Sequence, residues 1–118
     1  MITLKKSQIE KLLVQIIAFD PKTQTPVAGL LTENTTLGTK RRLQKIHATL
    51  LEKYKEYSAD IKKIEEECGD DMERRASEVQ VLNEEEIHID APRIDSKQLD
   101  SIVSENNYNF DILEKISE

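Results

Sequence analysis

Leu43, Leu50, Tyr57 and Ile64 fall seven residues apart, and His47, Tyr54, Ile61 and Cys68 repeat the interval four residues later. Alternating steps of four and three make a coiled-coil seam, a stripe that keeps one side of a helix facing a neighbour. Ile46 and Leu51 widen the stripe at its N-terminal end. A helix over residues 40–68 is roughly 40 Å long. A compact domain of this size is only about 35 Å across. The rod therefore spans or overshoots the molecule, and the rest of the chain must cover it or leave it to a partner.

Two segments offer cover from within. Ser7 and Glu10 form a capping-box pattern ahead of Ile9, Leu12, Leu13, Ile16 and Ile17, one apolar face of a helix over 7–19. Asp20-Pro21 ends it, because the residue before proline is pushed out of the helical region. After the long helix, Gly69-Asp70-Asp71 reads as a tight reversal. Met72, Ala76, Val79 and Leu82 then mark a return helix over 71–85, antiparallel to the first. These helices supply about 20 Å and about 22 Å of cover, nearly enough for the rod. Tyr, His and Cys are weak residues for a two-stranded zipper, so inward packing is expected for most of the stripe. The unpaired remainder is the expected self-association site.

The predicted fold class is mainly α, a long antiparallel α-hairpin plus shorter helices with a small two-stranded β element. At 118 residues the chain is expected to be a single domain, 1–118. Apolar residues make up 37% and aromatics 4%, which suits an elongated, helix-rich body with a thin core. Residues 20–38 hold two prolines, two glycines and five threonines, and are expected to form a loop. Irregular stretches of that length are either functional or packed crossovers between helices, and both readings stand. Val27, Leu30 and Leu31 are expected to pin its middle to the core, as one helical turn. The alternations "ITL" and "IHI" predict a pairing of residues 2–4 with 87–89. Residues 86–118 follow as a short extended segment and C-terminal helices, with Leu99, Ile102, Val103, Ile112, Leu113 and Ile116 inward and "ENNYNFD" as a turn.

Charge is divided along the chain. Residues 1–60 carry ten Lys/Arg against six Asp/Glu (+4), and residues 61–118 carry seven against seventeen (−10). The acidic half disfavours nucleic acid and anionic lipid as whole-surface partners. Attraction between the halves of one fold is the simpler reading. A single cysteine cannot form an internal disulfide, and a reducing compartment follows. The apolar run near the N-terminus is broken by Gln15 and is far short of the roughly 20 residues of a membrane span. A soluble cytoplasmic protein is expected.

Catalytic patterns are sparse. Glu67 and Asp70 give half of the Glu-x-x-Asp pairing by which all-helical nucleotide pyrophosphatases hold Mg²⁺, but Glu52 and Glu56 upstream are spaced by four. Octahedral Mg²⁺ needs carboxylates converging from separate elements. Glu85-x-x-His88 matches half of a di-iron motif, which needs two copies, and His88 falls in a predicted strand. Cys68 lies among Glu65, Glu66, Glu67 and Asp70, which disfavour a reactive thiolate. "LGTKRR" has the wrong glycine spacing and residue order for a phosphate loop. No catalytic, cofactor-binding or metal-binding residue is assigned.

Lys40, Arg41, Arg42 and Lys45 crowd the N-terminal end of the long helix, where its dipole disfavours positive charge. Such a cluster either pairs with carboxylates or meets an anionic partner. With an acidic half on the same chain, pairing within or between chains is favoured over nucleic acid. The candidate interaction residues are thus Leu43, His47, Leu50, Tyr54, Tyr57 and Ile61 on the seam, Lys40, Arg41, Arg42 and Lys45 in the cluster, and Val27, Leu30 and Leu31 in the loop.

In order, "GLLTENTTLGTKRRLQKIHATLLEKYKEY", "VLNEEEIHID" and "YNFDILEKI" resemble small phage- and prophage-encoded helical-hairpin proteins of unknown function, over roughly residues 29–116. The resemblance implies no activity. It implies a viral accessory or virion-associated role in a bacterial host. The expected function is a non-enzymatic protein–protein interaction or assembly module, forming a small homo-oligomer or binding another protein, with no small-molecule substrate. The alternatives are an acidic nucleic-acid mimic that binds a basic groove of a host protein and, with least support, a metal-dependent hydrolase of the pyrophosphatase type.

Overall fold

A computed structural model describes residues 2–103 and 108–118. The "ENNYNFD" turn falls partly outside the described residues. The elements run β1 (Ile2–Lys5), α1 (Ile9–Ile16), β2 (Ala18–Phe19), β3 (Pro26–Ala28), α2 (Leu37–Cys68), α3 (Met72–Glu84), β4 (Glu86–Ile89), α4 (Ser96–Val103) and α5 (Phe110–Leu113). Short 3₁₀ turns occupy Lys6–Gln8, Leu30–Thr32 and Glu114–Ile116. The fold is mainly helical, with one long helix, shorter helices and a small antiparallel sheet.

The long helix is continuous over 32 residues and sets the shape of the molecule. Its length of about 48 Å nearly equals the longest dimension of the chain, 49 Å. The Cα radius of gyration is 16.0 Å, against about 13.5 Å for a compact chain of this length. Thr36 starts α2, its side chain accepting from the Thr39 amide at 3.3 Å. Gly69 ends it with φ +54°, a conformation that a residue without Cβ adopts freely. Asp71 then caps α3 by accepting from the Arg74 amide at 3.1 Å.

The core lies at one end of this rod. Leu43, Ile46 and Leu50 of α2 are sealed beneath Ile9, Leu12 and Ile16 of α1 and the inner face of the β1–β4 sheet. That sheet pairs Ile2 with Ile89, Thr3 with His88 and Leu4 with Ile87, so the alternating isoleucines and leucine turn inward while Thr3 and His88 face out. Leu99, Ile102 and Val103 of α4 and Ile112, Leu113 and Ile116 close the other side. Ile94 ties the C-terminal end down, donating to the Ile116 carbonyl at 2.7 Å and accepting from the Glu118 amide at 3.0 Å.

Several local expectations change. The Ser7–Glu10 capping box does not form. A 3₁₀ turn begins at Lys6, and Gln8 instead accepts from the Lys5 amide at 3.0 Å. The first helix stops at Ile16, because Ala18 and Phe19 pair with Ala28 and Pro26 across a bulge. The 20–38 segment is therefore a small hairpin followed by a 3₁₀ turn, and α2 begins within it at Leu37. Val27 does not pin this segment to the core; it is 62% exposed, whereas Leu30 is sealed and Leu31 packs against the core.

Candidate interaction surfaces

The fully sealed part of α2 ends at Leu50. Tyr54 and Tyr57 still pack against the core and Asp60 lies 3.9 Å from Lys6, and beyond them the helix leaves the body alongside α3. This projecting pair is an arm of two helices. Its seam brings Ile61 near Val79 and Ile64 near Leu82, and Cys68 meets Glu78 at 2.8 Å, along the hairpin stripe expected from the spacing. Polar ties fasten it: Arg75 meets Glu65 at 2.7 Å, and Tyr57 donates to Asn83. At the base, Lys6 meets Glu85 at 2.6 Å and Lys5 meets Glu84 at 2.8 Å.

Two helices can cover only one stripe on each other, so both flanks of the arm stay open. One flank is a groove of about 660 Å³ lined by Ile61, Met72, Ala76, Val79 and Asn83. The other is a shallower groove of about 270 Å³ around Ile64, Val81 and Leu82. Met72 is 66% and Val81 65% exposed. The end of the arm is acidic, with Glu65, Glu66, Glu67, Asp70, Asp71 and Glu73 all exposed.

The candidate residues divide accordingly. Leu30, Leu43 and Leu50 have no exposed surface and belong to the core, not to a contact face. Tyr54 and Tyr57 are half-buried and pack against the core cluster; His47 is half-buried, and burial lowers its pKa. Leu51 does not widen the seam, being 39% exposed on another side of α2. Ile61 is the seam candidate that opens onto the groove.

The basic cluster is paired only in part within the chain. Arg42 donates to the Arg93 carbonyl at 3.2 Å and lies 3.9 Å from Glu118. Among the described residues, Lys40, Arg41 and Lys45 have no carboxylate within 4.0 Å. Nine of the seventeen acids of residues 61–118 lie on residues 61–85, which run away from the cluster.

A second surface escaped the sequence reading. Leu37, Arg41, Gln44, Ala48, Leu51 and Lys55 also alternate by four and three, and all six are exposed on one side of α2. The spacing was available as a signal, but polar members at half the positions hid it beneath the apolar ladder.

Chemically active side chains are dispersed. Glu67 and Asp70 are both exposed, and among the described residues no three His, Cys, Asp or Glu side chains converge to hold a metal ion. His88 is exposed and shares a hydrogen bond of 3.0 Å with the Thr3 hydroxyl, while Glu85 is engaged by Lys6. The Cys68 thiol donates to Glu78 at 2.8 Å; that bond and burial push its pKa up, against thiolate formation. Among the described residues no helix is long and apolar enough to cross a membrane. The chain matches no family model, no curated protein and no solved structure.

Proposed function

We propose that the protein is a non-enzymatic assembly module that joins other chains, its own copies among them, through the projecting helical arm. The observation that carries this reading is the pair of uncovered apolar flanks, with Met72 and Val81 about two-thirds exposed on an otherwise charged hairpin. Apolar surface left open along a two-helix unit is surface that a further helix covers in a bundle. The likeness to phage-encoded helical-hairpin proteins supports placing it among viral accessory or virion-associated proteins. Light scattering of the purified chain over a concentration series tests the reading. The mass is expected to rise above the 13.6 kDa of one chain, and a constant monomer mass would count against it.

A second reading is favoured by the six exposed acids at the end of the arm, a nucleic-acid-like surface for a basic groove of a host protein. Binding to such a host protein that is lost at moderate salt and on charge reversal of Glu65–Glu67 would support it.

A further inference from the structure

Charge is divided along the helical hairpin of α2 and α3. Residues 37–55, the end of α2 that lies on the body, carry six Lys/Arg against one Glu, a balance of +5. Residues 56–85, which make up the arm and its base, carry four Lys/Arg against eleven Asp/Glu, a balance of −7. Each of these regions also presents apolar side chains to solvent. The arm has the groove around Ile61, Met72, Ala76 and Val79. The body end of α2 has the exposed stripe of Leu37, Ala48 and Leu51, interleaved with Arg41 and ending at Lys55.

We infer that copies of this chain join head to tail, the exposed cationic stripe of one α2 lying as a third helix in the apolar groove of the next copy's acidic arm. This rests on the assembly reading above and names the two surfaces that meet. Length, charge and chemistry agree on it. The stripe from Leu37 to Leu51 is about 21 Å long and α3 about 20 Å, so the two run alongside each other without overhang. The stripe brings Arg41 and Lys55 to an arm of net charge −7, and leucines to an open apolar groove. Ala76, a small residue within the groove, lets a helix approach closely.

The rival self-contacts are worse. Arm against arm sets −7 beside −7, and stripe against stripe sets Arg41 and Lys55 beside the same cations of a second copy. Like charges brought together oppose association. A contact between two different surfaces also leaves a joined pair with one free stripe at one end and one free groove at the other. Such an assembly grows into a chain or closes into a ring.

The test separates this contact from self-association in general. Ala76→Arg blocks the groove with a bulky cation, and Ala48→Glu sets a carboxylate in the middle of the stripe; both positions are exposed and both new residues suit a helix. Each variant alone is expected to associate at least about tenfold more weakly than the unmodified chain in sedimentation velocity. Mixed one to one, they are expected to recover a species of two chains and stop there, since each retains one intact face. Recovery on mixing also reports that both variants are folded. Met72→Arg with Arg41→Glu forms an independent pair for the same experiment. Added salt is expected to weaken the assembly of the unmodified chain. Association that is unchanged in the variants, unrecovered in both mixtures, or strengthened by salt overturns the head-to-tail contact while the assembly reading stands. An unmodified chain that stays monomeric at every concentration overturns both.

Discussion

Tyr57 of α2, about two helical turns past the last α2 residue sealed in the core, donates its phenolic hydrogen to the Oδ1 of Asn83 of α3. The bond sits at the junction of body and arm. Immediately beyond Asn83, Glu84 and Glu85 are held by Lys5 and Lys6, so both helices of the arm are fixed at its root. Toward the free end of the arm, Arg75–Glu65 and Cys68–Glu78 tie its two helices to each other. The arm is thus a rigid-rooted element whose exposed flanks are held at a set angle to the body.

Tyr57→Phe removes this tie and little else. The expected cost is about 1 kcal/mol, typical of one intramolecular hydrogen bond. Urea unfolding of Tyr57→Phe, Asn83→Ala and the double variant measures the coupling. A coupling of about 0.5–1.5 kcal/mol is expected, and a value of zero would mean that water replaces the bond without loss.

Gly29 and Gly38 are expected to respond oppositely to alanine. Gly29 has φ +116°, and a Cβ there would lie 2.6 Å from both the Ile16 carbonyl oxygen and the Ile17 Cα. Strain and backbone overlap together make Gly29→Ala destabilising by about 2–5 kcal/mol. Gly38 lies in the first turn of α2, where a Cβ meets nothing within 4 Å. Gly38→Ala is expected to stabilise by about 0.5 kcal/mol, by narrowing the unfolded ensemble. Thermal unfolding of the two variants side by side checks the sign of each.

Much of this architecture was legible because it rests on long-range periodicity. The ladder from Leu43 to Cys68 required a continuous helix, and the alternations around Thr3 and His88 fixed which residues of the two strands face inward. Short elements were hidden for physical reasons. The β2–β3 pair has only a few residues, crosses a bulge and contains Pro26, so no alternation marks it. The start of α2 was masked by Gly38 and Thr39, poor helix formers whose cost is offset by the Thr36 cap and the burial of Thr39. The candidate surface was half legible. A seam position does not say whether its neighbour is intramolecular, and for Leu43 and Leu50 the neighbour is the chain's own first helix and sheet. The stripe from Leu37 to Lys55 could be recognised only after the opposite face of α2 was known to be filled.

The pH dependence of stability should show an alkaline limit set partly by Tyr108. Its hydroxyl donates to Glu33 at 2.7 Å, and burial first, then that carboxylate, raise its pKa above the ordinary 10.0. The folded chain therefore keeps a proton that the unfolded chain releases near pH 10.0. The associated stability is fully present below that pH and is lost as pH rises toward the folded value. Tyr57, raised mainly by burial, acts in the same direction. Denaturant midpoints from about pH 8 to about pH 11 are expected to fall at the alkaline end, and to fall less in Tyr108→Phe. An equal alkaline fall in that variant would remove Tyr108 from the account.

The division of α2 into a buried half and a presented half makes the sharpest prediction. Leu50 has 0% exposure, and Leu50→Ala is expected to cost about 2–5 kcal/mol through lost burial and the cavity left behind. Ile61 lies eleven residues further along, half-buried at the edge of the open groove. Ile61→Ala is expected to cost about 1 kcal/mol in the isolated chain, because neighbours and water can close over it. Self-association should rank the two in reverse. At concentrations where each variant is folded, Leu50→Ala should assemble like the unmodified chain and Ile61→Ala several-fold more weakly. Stability and assembly measured on the same two proteins thus give two orderings. If Ile61 proved as costly to the fold as Leu50 and neutral for assembly, the outer half of the ladder would be ordinary core and the groove no contact surface.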